Sequence, residues 1–104
     1  MARQEEVRRL LKMSRKQMLD KAGKHLVILK DIDTLHLHFA ETIAEEIKSN
    51  NAEGRPTKLI LPVGPVGQYP ILIDLIHSQR ISLKKCWFFF MDENCDDNGI
   101  AVPP

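Results

Sequence analysis

The feature that most constrains the fold is an uninterrupted apolar run, Trp87 to Met91, which stops at the carboxylates Asp92 and Glu93. A run of this length without polar alternation is typical of a strand buried on both faces, as in a parallel sheet covered by helices. Ligands of such sheets bind beyond the carboxyl ends of the strands. Asp92 is therefore predicted to lie at the edge of the sheet where a site would form.

Other elements are predicted to alternate around this run. A β-branched run at 25–30 predicts a first strand, and 58–61 predicts a second. One helix is predicted from a cap at Asp31 or Asp33 to about residue 49, and another from near residue 70 to 78, before the third strand at 85–91. The β-α-β-α-β order predicts an α/β domain with a parallel sheet, preceded by an N-terminal helix.

Residues 1–24 differ in charge from residues 25–104, and we treat the two as separate segments. The first segment holds eight basic and three acidic side chains, a net charge of +5, whereas the remainder has a net charge of −4. A helix is predicted from Met1 to Ala22, with Val7, Leu11 and Ser14 among the residues on one face. No aromatic or base-reading pattern accompanies the charge, so we expect an arm docked on its own or a neighbouring subunit, not a nucleic-acid interface.

The composition limits the class of protein. A length of 104 residues, 43% of them hydrophobic and 28% charged, predicts one soluble domain without a transmembrane segment or signal peptide. Two cysteines do not make a disulfide framework, which favours a cytoplasmic setting. Three strands are few for a doubly wound domain, so we expect either the first half of a larger domain or a homo-oligomer that completes the sheet.

A Gly/Pro loop, Pro62 to Gly67, follows the second strand and directly precedes a helix. Backbone N–H groups at a helix N-terminus form a natural phosphate site, and a carboxylate at the next strand end is positioned to act as a base on a phosphorylated small molecule. On spacing alone, this hypothesis and an ordinary β-α turn with loop carboxylates both stay open.

No metal site is predicted. The pattern Asn94-x-Asp96-x-Asn98-Gly99 is similar to the start of a calcium loop, but its first ligand is Asn and no helix precedes it. His36 and His38 point to nearly opposite sides of a helix, which favours ordinary surface or boundary histidines. The two cysteines are too isolated to bind zinc.

Three segments together resemble the glucosamine-6-phosphate deaminase/isomerase family. They are Leu61-Pro62-Val63-Gly64, Ile81-Ser82-Leu83-Lys84 and Phe90-Met91-Asp92-Glu93-Asn94. The family carries a Leu-Pro-Thr-Gly-Gly-Thr-Pro loop, then Val-Ser-Phe-Lys before a strand that ends in Met-Asp-Glu-Tyr. The resemblance covers residues 25–104 and only the N-terminal part of the family's chain.

The resemblance implies a Rossmann-like α/β fold with helices on both faces of a parallel sheet. It implies that Asp92 is the catalytic base, which moves a proton between C2 and C1 of a ring-opened amino sugar phosphate so that ammonia leaves and fructose 6-phosphate forms. The substrate phosphate would be held by Val63, Gly64, Val66 and Gly67. The family requires no metal or organic cofactor, and its role in carbohydrate metabolism implies a phosphorylated amino sugar as the partner.

This sequence departs from the family at several positions. Val63, Pro65 and Val66 stand where the family has Thr, Gly and Thr, which removes hydroxyl donors and one backbone N–H. The family's later Asp-Gly-His segment is missing, so we expect activity in a longer protein and not in these 104 residues alone. Two alternatives remain: a non-catalytic sugar-phosphate-binding sensor module, and a 6-phosphogluconolactonase-like hydrolase, whose strand more typically ends in Asp-Glu-Arg.

Overall fold

The computed structural model describes residues 2–102 as a mixed α/β protein. Its elements are α1 (Arg3–Leu11), α2 (Arg15–Ala22), a 3-10 turn (Gly23–His25), α3 (Ile32–Ala52), β1 (Thr57–Leu61), α4 (Gln68–Ser78) and β2 (Cys86–Phe90). The two strands form one parallel sheet. None of the helices in the described range is long and apolar enough to cross a bilayer.

Helix α3 begins where the sequence predicts a cap. The Thr34 backbone N–H donates to the Asp31 carboxylate at 2.7 Å, which satisfies one of the free donors of the first turn. Hydrogen bonding from the Thr34 side chain and backbone lowers the pKa of Asp31. At the other end, the buried Asn50 side chain donates to the Thr57 hydroxyl at 2.9 Å, and this bond joins the last turn of α3 to the start of β1.

The core lies between α3, α4 and the sheet. Small residues on α3, Ala40 and Ala44, let α4 pack closely against it. The buried apolar side chains are Ala40, Ile43, Ala44, Ile47, Leu61, Leu72 and Ile81. This core positions the two ends of α4, and with them the loop that precedes the helix.

The predicted first strand at 25–30 is wrong. The backbone forms a 3-10 turn up to His25 and is irregular from Leu26 to Leu29. The predicted three-stranded Rossmann-like sheet is thus not confirmed, and the described residues hold two strands. A β-branched run gains its strand hydrogen bonds only from a neighbouring strand, and this run lies beside neither β1 nor β2.

The prediction that β2 is buried on both faces is also wrong. Trp87 is 60% exposed and Phe89 53%, while Phe88 and Phe90, whose side chains point to the opposite face, are 39% and 64% exposed. The second face borders α4 across an open apolar groove of about 360 Å³. Helix α3 packs on α4 and against β1, and no helix packs closely on β2, so neither face of β2 is covered.

The N-terminal segment forms two helices in place of the single one predicted from Met1 to Ala22; Met1 itself lies outside the described residues. The break occurs at Ser14, whose hydroxyl accepts the Gln17 N–H at 3.1 Å while the Gln17 side chain accepts the Ser14 N–H at 2.8 Å. This capping box starts a new helix at a residue that was predicted to lie on the apolar face. Neither α1 nor α2 contains a buried residue.

Truncating Ile47 tests where the core lies. The Ile47 side chain is 0% exposed, so we expect Ile47→Ala to lower the free energy of unfolding by roughly 2–4 kcal/mol. The matched control is Ile73→Ala on α4, where the side chain is 53% exposed and the loss should stay below about 1 kcal/mol. Urea unfolding followed by circular dichroism measures both, and equal losses would contradict this core.

Candidate functional site

The carboxyl ends of the two strands lie side by side. The parallel register pairs Leu61 with Phe90, and the Met91 backbone N–H donates to the Leu61 carbonyl at 2.8 Å. Pro62 and Asp92 therefore leave the sheet at the same edge. This is the arrangement that the β-α-β order predicts for the loop and the carboxylate.

The first turn of α4 holds the Gly/Pro loop in place. Gln68, which is 1% exposed, donates through Nε2 to the Pro65 carbonyl at 2.8 Å. The Tyr69 hydroxyl donates to the Pro62 carbonyl, and the Tyr69 backbone N–H donates to the Val66 carbonyl at 3.1 Å. The side chains of Gln68 and Tyr69 thus fix the loop conformation. Neither was among the predicted site residues, although a glutamine and a tyrosine directly after a Gly/Pro loop could have been predicted to bond to its carbonyl groups.

The predicted phosphate-binding residues form one side of this edge. Val63 and Gly67 are half-buried, whereas Gly64 and Val66 are exposed. Gly67 is the residue immediately before α4, so the unpaired N–H groups of the first helical turn begin beside it. The loop has no side-chain hydroxyl group, so the hydrogen-bond donors that it could offer to a phosphate are backbone N–H groups.

A histidine from α3 packs against the loop. A Cβ atom placed on Gly67 would overlap Cε1 of His36, so a side chain at residue 67 would force the imidazole to move. The half-buried position of His36 fits an ordinary surface or boundary histidine, but that prediction does not include this contact. No signal within α3 could have revealed it, because the packing of α3 on α4 brings residues 36 and 67 together.

Asp92 itself is exposed, at the start of an irregular segment that closes on itself. Cys95 and Ala101 form an antiparallel bridge, and Asp96 Oδ1 accepts the N–H groups of Asn98 and Ile100, each at 2.9 Å. The Asp96 carboxylate is thus occupied by its own turn. Within residues 2–102, no three His, Cys, Asp or Glu side chains converge in a way that could hold a metal ion.

The two cysteines are free thiols in different surroundings. Cys86 is half-buried at the start of β2, where burial raises the pKa of its thiol. A raised pKa disfavours the thiolate, the nucleophilic form.

Comparison with known proteins adds no relative: no family model, curated protein or solved structure matches the chain. The resemblance in residues 61–94 therefore stays a hypothesis. What the fold contributes is geometric: the loop after β1 begins beside the strand end that carries Asp92, and it ends at Gly67, against which His36 lies.

A double-mutant cycle tests the contact between His36 and Gly67. We expect Gly67→Ala to lower the free energy of unfolding by about 1–3 kcal/mol, because the new methyl group overlaps the imidazole. His36→Ala should relieve most of this cost when the two changes are combined. The matched control is Gly64→Ala, where nothing lies within 4 Å of the added carbon. Additive losses in the double variant would contradict the contact.

Proposed function

We propose that this chain forms the N-terminal part of an isomerase/deaminase that converts glucosamine 6-phosphate to fructose 6-phosphate and ammonia. The observation that supports it best is the shared edge of the sheet, where the loop after β1 adjoins the strand that ends in Asp92. A phosphate group and a base must stand a few ångströms apart to act on one small sugar, and adjacent parallel strand ends provide that spacing.

The phosphate end of the substrate would lie at the Gly/Pro loop. At the start of α4, the N–H groups of Gly67 and Gln68 lie at the positive end of the helix dipole, whereas the Tyr69 N–H is bonded to the Val66 carbonyl and Pro70 has no N–H. The loop lacks the family's hydroxyl donors, and His36 supplies a replacement, because an imidazole N–H donates a hydrogen bond and the ring already lies against Gly67. Val63, Gly64, Val66 and Gly67 would then line the phosphate through their backbone.

At the other end of the substrate, the Asp92 carboxylate would remove the proton from C2 of the ring-opened sugar and return it to C1. When the C2–H bond breaks, its electron pair forms a C1–C2 double bond while the C1 carbonyl oxygen takes up a proton from water, which gives an enol. Protonation of C1 then leaves a C2–N double bond, and the nitrogen gives up a proton to water. Hydrolysis of the resulting imine at C2 by water gives the ketose phosphate and ammonia. A positioned carboxylate contributes to such a proton transfer without a metal ion.

A second candidate is a sugar-phosphate-binding sensor without catalysis. Two observations favour it: the loop has Val63, Pro65 and Val66 in place of polar and glycine residues, and Asp92 is exposed and lacks the partial desolvation that strengthens a carboxylate base. Such a module would bind the phosphorylated sugar at the same edge and leave it unchanged.

Replacing the proposed base separates the two candidates. In the full-length protein incubated with glucosamine 6-phosphate, we expect Asp92→Asn to lower the rate of ammonia release by at least about 100-fold, because the amide cannot accept the proton. Binding measured by calorimetry should persist. Asp97→Asn is the matched control, since Asp97 is also an exposed carboxylate in the same segment and should leave the rate unchanged.

Three outcomes are informative. Ammonia release that survives Asp92→Asn contradicts the role of Asp92. Binding by the unaltered protein without ammonia release supports the sensor. Neither binding nor release contradicts both candidates.

The phosphate role of His36 has its own test. We expect His36→Ala to raise KM for the sugar phosphate by about tenfold with kcat little changed, because a hydrogen bond to a charged group is lost from the ground state and the transition state alike. His38→Ala is the control, as His38 lies two residues further along α3 and faces a different surface groove. Equal effects from the two variants would contradict the assignment.

A further inference from the structure

Helix α3 carries an apolar groove with an acidic flank, which begins at the core residue Ile43 and extends onto the exposed surface of the helix. The groove has a volume of about 250 Å³ and is lined by Leu35, Phe39 and Ile43 together with the shared residues His38 and Thr42. Leu35 is 42% exposed and Phe39 36%.

Next to the groove, the exposed carboxylates Glu41, Glu45 and Glu46 line a second depression that also includes His38 and Thr42. The two depressions form one continuous surface, which we call the α3 face.

Helix α1 has the opposite character. Val7, Leu10 and Leu11 are 44%, 41% and 80% exposed, and the exposed bases Arg8 and Lys12 lie beside them four residues apart. No residue of α1 is buried, so its apolar side is uncovered in the single chain. A helix with this combination of apolar and basic residues fits a groove with this combination of apolar and acidic residues.

From this complementarity we propose that α1 of one copy docks on the α3 face of a second copy, and that the second copy returns the same contact. The segment 1–24 carries a net charge of +5 and the remainder −4, so the two partners attract each other in both directions. A pair of identical, reciprocal contacts is the closed two-fold arrangement that most homodimers adopt.

The extended shape of the chain favours docking between copies over docking within one chain. The radius of gyration is 18.1 Å, compared with about 13 Å for a compact domain of this length. The arm formed by α1 and α2 contributes to this extended shape, since α2 contacts the adjoining 3-10 turn and α1 does not pack on its own α3 face. An arm held away from its own domain is in position to reach another. This inference is independent of the sugar chemistry proposed above.

A charge-swap experiment on the full chain tests the proposal. One variant reverses the arm (Arg8→Glu with Lys12→Glu), and another reverses the face (Glu41→Lys with Glu45→Lys). Sedimentation velocity should find the unaltered protein dimeric, and each variant alone should show a dissociation constant at least about tenfold higher, because like charges then meet. Added salt should weaken the unaltered dimer.

Mixing the two variants provides the decisive measurement. In a mixed dimer, the acidic arm of one variant meets the basic face of the other, and the basic arm of the second meets the acidic face of the first. We therefore expect an equimolar mixture to regain the dimer. This recovery also shows that neither variant has lost its fold.

The matched control is Glu53→Lys with Asp74→Lys, which changes the charge equally at two exposed residues outside the groove and should leave the dimer intact. An unaltered protein that stays monomeric at all concentrations would overturn the proposal, and so would a dimer indifferent to both reversals. A mixture that stays monomeric, while one chain carrying all four changes regains a compact form, would show docking within the chain and also overturn it.

Discussion

Everything proposed for this protein's chemistry depends on the parallel pairing of β1 with β2. The hydrogen bond from the Met91 N–H to the Leu61 carbonyl lies at the carboxyl end of that pairing. Beyond it, the Gly/Pro loop and the segment that begins with Asp92 leave the sheet at the same edge. An antiparallel pair would have put the Gly/Pro loop and Asp92 at opposite ends of the sheet. A single choice of strand direction, required by the helical connection between the strands, thus decides whether the two groups can meet on one small molecule.

Helix α3 contributes in a second way, through its position on α4. Its alanines permit the close approach that brings His36 against Gly67, and Asn50 fixes its last turn to β1 through a buried hydrogen bond. The histidine at the loop, the start of the helix and the strand end are therefore parts of one packed unit. In the proposed site, the loop has no hydroxyl donors of its own, and the imidazole of His36 lies against it at Gly67.

The sequence predicts those features that are set by neighbours in the chain. The cap predicted at Asp31 or Asp33 is found at Asp31, and the strand predicted at 58–61 is found at 57–61. The helix that contains Pro70 and the strand that contains Trp87 also follow from local patterns, and the structure has them. Features set by distant residues were not predictable in the same way. The run at 25–30 has strand composition but no strand to pair with, and the contact of His36 depends on residue 67. The cap at Ser14 is a different case, because it is made with Gln17 three residues away and its signal was present in the sequence.

The uncovered strand β2 has a consequence for how the protein behaves at high concentration. Cys86 to Phe90 contains no charge and no proline, and its outer edge presents backbone groups that no described residue pairs with. Such an edge accepts further strands, including copies of itself, so uncontrolled stacking competes with any ordered assembly. A partner that covered β2 would therefore change the solubility of the protein as well as its shape, because it would shield an aggregation-prone segment.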